Sequence, residues 1–120
     1  MLFRSEAPKP VDNRKPVVLK AHYLNEKLYL SWVSSATQQN LQYYKVVASL
    51  SNASPKYPDD GYVAYFDDVK KLGMVIQPGL KNNGGDFYKF ESGKAYNFSV
   101  TTVYKDGTKL TSNVLNAKLP

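Results

Sequence analysis

The sequence contains no cysteine and a single histidine among its 120 residues. The missing thiols exclude disulfide bonds, thiol catalysis and zinc sites with cysteine ligands. A single imidazole, that of His22, excludes metal sites built from several histidines. No apolar run approaches the ~18 residues that a transmembrane helix requires. We expect neither a metal nor a cofactor.

Residues suited to acid–base catalysis are equally sparse. Glu26 and Glu91 lie in or beside predicted turns, whereas the paired carboxylates of a glycoside hydrolase must face each other across a cleft. His22 falls on the outer face of the first predicted strand, where a solvated histidine is commoner than a general base. Residues 82–86 are glycine-rich but lack the Lys-Ser/Thr pair and the helix of a phosphate loop. We predict that the chain is not an enzyme.

The charge is strongly basic, with 16 basic and 10 acidic residues and a net charge of +6. Such a balance suggests a nucleic acid or another anionic polymer as partner. Nucleic-acid sites favour arginine, however, and the only two arginines, Arg4 and Arg14, lie near the N-terminus. The lysines are scattered along the chain. We therefore predict a solvated, lysine-decorated surface and no nucleic-acid partner, with acidic glycans or cell-wall polymer left open.

Residues 1–16 contain three prolines and no apolar period, so we predict an N-terminal tail or linker. From residue 17 the apolar residues alternate with polar ones, which is the period of β-strands. About seven short strands are predicted, at residues 17–22, 28–32, 44–50, 61–66, 74–77, 94–104 and 108–119. Residues 82–86 are predicted to be a flexible loop. The pattern predicts one all-β domain at residues 17–120, a two-sheet antiparallel sandwich.

Several motifs, taken in order, resemble those of a fibronectin type III module. Leu28-x-Leu30-x-Trp32 matches the tryptophan strand of that family, and Tyr44-Lys45-Val46 matches its third strand. The segment from Phe90 through Gly93 to Tyr96 has the spacing that precedes the sixth strand. The resemblance implies an immunoglobulin-like sandwich. It also implies structural roles for Trp32, Tyr44, Val46, Phe90, Gly93, Tyr96 and Phe98, with Tyr96 as a tyrosine corner whose hydroxyl bonds nearby backbone.

One stretch departs from the family pattern, because the chain between the third and sixth strands is long. Its residues 55–62 resemble a segment of fibronectin type III-like modules from secreted and surface proteins of clostridia and related bacteria. Some of those proteins are anti-sigma factors with exported sensor regions, and others are glycoside hydrolases. The resemblance implies an extracellular or cell-surface location.

Tyrosine supplies 10 of the 16 aromatic residues. The tyrosines in or near the long insert are Tyr43, Tyr57, Tyr62, Tyr65 and Tyr88. Exposed rings flanked by hydrogen-bonding groups can bind sugars, and Tyr57, Tyr62 and Tyr88 are the candidates. Hydrogen bonds to sugar hydroxyls would come from Asp59, Asp60 or Asn82. The alternative is that these rings only pack the insert onto the sandwich.

These observations predict a non-catalytic extracellular module that acts as a spacer or protein-interaction domain in a larger bacterial surface protein. Its partners would then be the neighbouring domains of that protein, and the module itself would be a monomer. The alternative is a carbohydrate-binding or polysaccharide-sensing module that uses the loop tyrosines.

Overall fold

The computed structural model describes residues 14–33, 40–68 and 70–120, and in these residues the chain forms eight β-strands. The strands are β1 (Val18–Leu24), β2 (Lys27–Val33), β3 (Leu41–Ser49), β4 (Ala64–Phe66), β5 (Gly73–Ile76), β6 (Ala95–Tyr104), β7 (Lys109–Thr111) and β8 (Leu115–Lys118). The described part of the chain has no helix long and apolar enough to cross a membrane.

The strands form two antiparallel sheets. One sheet has the order β1-β2-β5, and the other has the order β4-β3-β6-β7, with β8 also paired to β6. The predicted all-β, two-sheet antiparallel sandwich is confirmed. The last predicted strand is divided, because Ser112 exchanges hydrogen bonds with Val100 while Asn113 turns away toward Leu19.

The core lies between the inner faces of the two sheets. Alternation along β2 sends Leu28, Leu30 and Trp32 inward, where all three are fully buried. The Trp32 ring meets the Tyr44 ring of β3 edge-on, with 5.9 Å between the ring centroids. From the opposite sheet, β3 and β6 both contribute fully buried residues. The core side chains of β3 and β6 that are no more than 1% exposed are Tyr44, Val46, Ala48, Tyr96, Phe98 and Val100.

The predicted tyrosine-corner geometry is present at the start of β6. Tyr96 is buried, and its hydroxyl oxygen accepts a hydrogen bond of 2.9 Å from the backbone N–H of Glu91. Phe90 packs against the Tyr96 ring at a centroid distance of 4.6 Å. Gly93 has a φ of +85° in the turn between them, a conformation that glycine adopts without strain.

Two long connections leave the sandwich and return to it. The β3–β4 connection, residues 50–63, crosses the outer face of β3 and β6, and its Pro55 is buried there. Ser99 donates a 2.6 Å hydrogen bond to the Pro55 carbonyl, and Thr101 accepts one of 3.2 Å from the Tyr57 N–H. The centre of this sheet is therefore buried on both faces, with Ser99 and Thr101 fully covered.

The β5–β6 connection, residues 77–94, lies against the β3–β4 connection. Tyr62 and Asn83 exchange backbone hydrogen bonds of 3.0 and 2.9 Å. Gly61 faces this contact so closely that a Cβ there would lie 2.1 Å from the Asn83 carbonyl oxygen, so only glycine fits. Residues 82–86, predicted from their glycines to be flexible, are instead held by this pairing.

The N-terminal boundary of the contacts lies earlier than the predicted residue 17. Residues 1–13 of the predicted tail lie outside the described residues. The Arg14 guanidinium, in contrast, contacts the β6–β7 turn, with hydrogen bonds of 3.1 and 3.2 Å to the Asp106 carboxylate. It also bonds Thr108 at 3.1 Å and lies 4.5 Å from the centroid of the Tyr104 ring. Arg14 therefore belongs structurally to the domain.

Candidate functional site, a lysine within a tyrosine cluster

The outer face of β3 carries a lysine surrounded by four tyrosine rings, which we call the tyrosine cluster. The Lys45 ammonium lies 3.5 Å from the centroid of the Tyr62 ring, and only 8% of Lys45 is exposed. The other three rings lie at 4.7 to 5.1 Å. They belong to Tyr43, Tyr57 and Tyr65. All four distances lie within the ~6 Å over which a ring quadrupole attracts a cation.

Strand register and the long insert together assemble this cluster. Tyr43 and Lys45 are two residues apart on β3 and point to the same face, and Tyr65 of β4 lies directly opposite Lys45. The β3–β4 connection supplies Tyr57 and Tyr62, whose rings meet edge-to-face at 5.9 Å. Tyr43 and Tyr65 meet in the same geometry at 5.6 Å. The two ring pairs enclose the lysine between the sheet and the insert.

The cluster changes the electrostatics of its own groups. Burial lowers the pKa of the Lys45 ammonium, and no carboxylate among the described residues lies within ion-pair distance of it. Burial also raises the pKa of Tyr43, an effect increased by the neighbouring Tyr57 and Tyr65 and by a hydrogen bond with Tyr57. The Lys45 ammonium is therefore stabilised by cation–π contacts with the tyrosine rings, which take the place of the carboxylate in an ordinary ion pair.

The Asp86 carboxylate joins the two long connections. Asp86 accepts hydrogen bonds of 2.7 to 3.0 Å from the Ser49 hydroxyl, the Leu50 N–H, and both the N–H and hydroxyl of Ser51. Burial alone would raise its pKa, but the bonds from Ser51, Leu50 and Ser49 outweigh burial and hold the Asp86 pKa well below its usual range. Asp86 belongs to the β5–β6 connection and binds residues 49–51, so it holds the start of the β3–β4 connection in place.

The structure brings together only two of the three tyrosines predicted to bind ligand. Tyr57 and Tyr62 are half-buried ring neighbours, and both contact Lys45. Tyr88 is 67% exposed on the β5–β6 connection, with the Lys81 ammonium 5.7 Å from its ring centroid. Within the described residues, Tyr88 has no ring contact with the cluster.

The predicted hydrogen-bonding partners are engaged within the protein. Asp59 lies 3.6 Å from the Lys56 ammonium at the surface. Asp60 accepts bonds from the Asn52 amide and from the Lys56 N–H at 3.0 to 3.1 Å. Asn82 is buried and donates to the carbonyls of Gly84 and Phe87. These groups organise the turns of the insert.

Sequence reasoning missed Lys45 and Asp86. The strand pattern predicts a solvated Lys45, because its position on β3 alternates with those of Tyr44 and Val46, which point to the core. Its burial depends on the insert covering that face, which a strand pattern alone does not predict. The available signal was the adjacent spacing of Tyr43 and Lys45 on one strand face together with the tyrosine-rich insert.

Comparison with known proteins places the fold in larger bacterial enzymes. The chain is similar to part of pectate lyase Pel3 from Pectobacterium carotovorum, with 19% identity and a TM-score of 0.58, covering 86% of this chain and 27% of that one. It is also similar to part of the spore cortex lytic enzyme SleM of Clostridium perfringens, with 17% identity and a TM-score of 0.54, covering 88% of this chain and 28% of that one.

A myokine structure has a similar fold over nearly its whole length. The identity is 11% and the TM-score 0.51, and the match covers 90% of this chain and 99% of that one. No protein-family model and no curated protein matches the chain. At these identities the likeness shows the fold alone.

Proposed function

We propose that this chain is a rigid, non-catalytic spacer or protein-interaction module of a larger, exported bacterial surface protein. The observation that carries the proposal is the locking of the insert onto the sandwich. Asp86 bonds residues 49–51, and Lys45 holds Tyr57 and Tyr62 against β3. Long connections usually provide movable binding loops, whereas these two are fixed at both ends and in the middle.

The entry of the chain into the domain is fixed as well. Arg14 binds the Asp106 carboxylate with one guanidinium nitrogen and Thr108 with another, and it stacks on Tyr104. A planar guanidinium held at several points is a stiffer anchor than a lysine. Arg14 therefore fixes the point at which the chain enters the sandwich, as a rigid spacer requires.

The fold comparisons are consistent with this role. The chain is similar to 27% and 28% of two longer enzyme chains, so this fold occurs as one portion of a larger protein. The motifs that resemble a fibronectin type III module support the same proposal, because such modules commonly separate or present other domains. The exported location rests on the resemblance of residues 55–62 to clostridial surface proteins.

Backbone ¹⁵N relaxation tests the proposed rigidity. We expect order parameters of about 0.85 through residues 50–63 and 77–94, equal to those of the strands, since both connections are bonded to the sheet. Values below about 0.6 in these connections would contradict a rigid spacer. Asp86→Asn provides the internal comparison, because it weakens the bonds to residues 49–51 and should lower the order parameters there first.

A second candidate is a carbohydrate-binding module, which the exposure of two rings favours. Tyr65 is 51% exposed at the rim of the tyrosine cluster, and Tyr88 is 67% exposed. Exposed tyrosine faces can stack on sugar rings. Two of the fold neighbours are a pectate lyase and a spore cortex lytic enzyme.

Affinity electrophoresis in gels containing soluble pectic and cell-wall polysaccharides separates the two candidates. The spacer proposal predicts the same mobility with and without polymer, after correction by a basic protein of similar charge. Retardation that Tyr88→Ala or Tyr65→Ala removes, and that Tyr23→Ala leaves unchanged, would favour carbohydrate binding. Retardation that salt removes equally from all variants would reflect only the net charge of +6.

A further inference from the structure

The two sheets separate along one side of the sandwich, where the edges of β1 and β8 face each other across an open cleft of about 470 Å³. We call it the edge cleft. Its walls and floor are formed by Leu19, Lys20, Ala21, Tyr23, Leu115, Asn116 and Ala117. Among the residues that the structure describes, β1 pairs only with β2 and β8 only with β6, so each strand presents to the cleft an edge that no described strand covers.

Asn113 shows which backbone groups of β1 point into this cleft. Its side-chain amide accepts a 2.7 Å hydrogen bond from the Leu19 N–H and donates one of 3.0 Å to the Leu19 carbonyl. Leu19 therefore directs both polar groups away from β2. In an antiparallel ladder every second residue does the same, so Ala21 and Tyr23 also present an N–H and a carbonyl to the cleft.

The backbone groups of Ala21 and Tyr23 have no hydrogen-bond partner among the described residues. On the opposite wall, the backbone of Leu119 forms hydrogen bonds with Gly93 and Lys94, which precede β6. The carbonyl of Lys118 points toward β1 and accepts a 2.7 Å hydrogen bond from the Tyr23 hydroxyl. That contact lies at one end of the cleft, and the Asn113 contact with Leu19 lies at the other. Between them lies a length of unpaired strand edge with an apolar floor.

We propose that the edge cleft binds an extended peptide segment as an added strand on β1, and this rests on the protein-interaction role proposed above. Only an extended polypeptide repeats paired donors and acceptors at the two-residue spacing of Ala21 and Tyr23. The Asn113 amide already occupies the first such position, at Leu19, with the hydrogen bonds that a peptide group would make.

The side chains of the cleft define the sequence of the peptide. A guest residue paired with Ala21 points its side chain to the same face as Ala21, toward the floor. The floor has two small residues, Ala21 and Ala117, so a branched apolar side chain such as valine fits between them. Lys20 and Lys118 are exposed beside the cleft, which favours acidic residues at the alternate, outward positions.

The test uses the full chain and a five-residue, N-acetylated and C-amidated peptide, Glu-Val-Glu-Val-Glu, whose two valines have the spacing of Ala21 and Tyr23. We expect saturable amide NMR shifts at Ala21, Tyr23 and residues 115–118, with an affinity on the order of 0.1–1 mM because one short strand has few contacts to offset association. Ala21→Pro removes one donor without removing a bond to β2, and should weaken binding about three- to tenfold. Tyr88→Phe, at an exposed ring outside the edge cleft, is the control and should leave peptide binding unchanged.

Two N-methylated peptides test the pairing independently of any variant that fails to fold. Antiparallel addition requires the valine N–H groups to bond β1, so methylation of the valine nitrogens should abolish the shifts. Methylation of the glutamate nitrogens should preserve them.

The proposal is overturned if no shift occurs at millimolar peptide, if the shifts map to β4, β5 or β7, or if both methylated peptides bind equally. Concentration-dependent sedimentation with shifts at Ala21 in the absence of peptide would also overturn it, in favour of a second copy of the chain. If the peptide does not bind but the order parameters show rigid connections, only the peptide proposal fails and the spacer role remains. If the order parameters show mobile connections, the spacer role itself fails.

Discussion

The Lys45 ammonium lies 3.5 Å from the centroid of the Tyr62 ring, and this contact joins the sheet to the insert. Lys45 belongs to β3, and Tyr62 closes the β3–β4 connection. A lysine that is 8% exposed would usually require a carboxylate, because burial of a lone charge is costly. Here ring faces on several sides provide the compensating attraction, and the aliphatic stem fills the space beneath the insert.

Substitution of Lys45 distinguishes the charge from the volume of the side chain. Lys45→Ala should lower the free energy of unfolding by about 2–4 kcal/mol, because it leaves a cavity beneath the insert. Lys45→Met keeps most of the volume and should cost less than about 1.5 kcal/mol, since the lost cation–π attraction is offset by the removal of a buried charge. Urea denaturation measures both values.

Lys56→Met is the matched control for this pair, because Lys56 lies in the same connection but is exposed. A surface substitution of this kind should change stability by no more than about 0.5 kcal/mol. Equal losses for Lys45→Met and Lys45→Ala would show that the charge, and not the volume, holds the insert.

Because the pKa of Asp86 is lowered in the folded protein, we expect the free energy of unfolding to depend on pH in the acid range. Its pKa is held below the unfolded value of about 3.9, so the folded protein binds fewer protons than the unfolded chain below that pH. The stability that Asp86 contributes is therefore complete above about pH 4 and is lost as pH falls toward the folded pKa. Asp86 is exposed, so solvent screens part of this stabilisation. Asp86→Asn should therefore cost about 1 kcal/mol at pH 7, because the amide cannot accept the same set of bonds.

The difference between wild type and Asp86→Asn should shrink steadily as pH falls from about 4 toward 2. Thermal denaturation followed by circular dichroism at several pH values measures this convergence. Asp59→Asn is the control, since Asp59 makes only an exposed contact with Lys56 and should give a nearly constant difference. A pH-independent loss for Asp86→Asn would contradict the role of the ionised carboxylate.

The sandwich itself was predictable from the sequence because alternation is a local property. Leu28, Leu30 and Trp32 alternate with more polar residues along one strand, and Tyr96 and Phe98 do so along another. This alternation predicts which side chains point inward without any knowledge of contacts. The break between β7 and β8 could not be predicted in this way. It depends on Ser112 bonding Val100 and on Asn113 reaching Leu19, which are pairings between distant parts of the chain.

The candidate site was predictable only in part, for the same physical reason. The importance of Tyr57 and Tyr62 followed from their place in a tyrosine-rich insert. Their shared contact with Lys45 did not, because the insert had to fold over the outer face of β3 before that face became an interior. Glycines at 84 and 85 suggested flexibility, whereas the backbone pairing of Tyr62 with Asn83 fixes that segment.

Tyr96→Phe tests the corner at the start of β6. The substitution keeps the buried ring but removes the oxygen that accepts the Glu91 N–H. We expect a loss of about 0.5–1.5 kcal/mol in the free energy of unfolding, the usual net value of one hydrogen bond. Tyr88→Phe, at a ring that is 67% exposed, should leave the melting temperature unchanged. An unchanged melting temperature for Tyr96→Phe would show that the bond contributes nothing to stability.

The faces of the Tyr57 and Tyr62 rings should not be accessible to sugar. Lys45 and the neighbouring rings occupy the faces of Tyr57 and Tyr62, so sugar stacking there would have to displace the lysine. Titration with soluble polysaccharides at millimolar sugar should therefore leave the ring NMR signals of Tyr57 and Tyr62 unchanged.

Tyr65 and Tyr88 serve as the comparison within the same spectrum, because their rings are exposed. If the module binds sugar at all, their signals should shift first and Tyr88→Ala should remove the effect. Shifts at Tyr62 that coincide with a changed Lys45 ammonium environment would instead show that the cluster opens to admit a ligand. That result would contradict the rigid spacer and would make the tyrosine cluster itself the binding site, since the lysine would then act as a displaceable occupant.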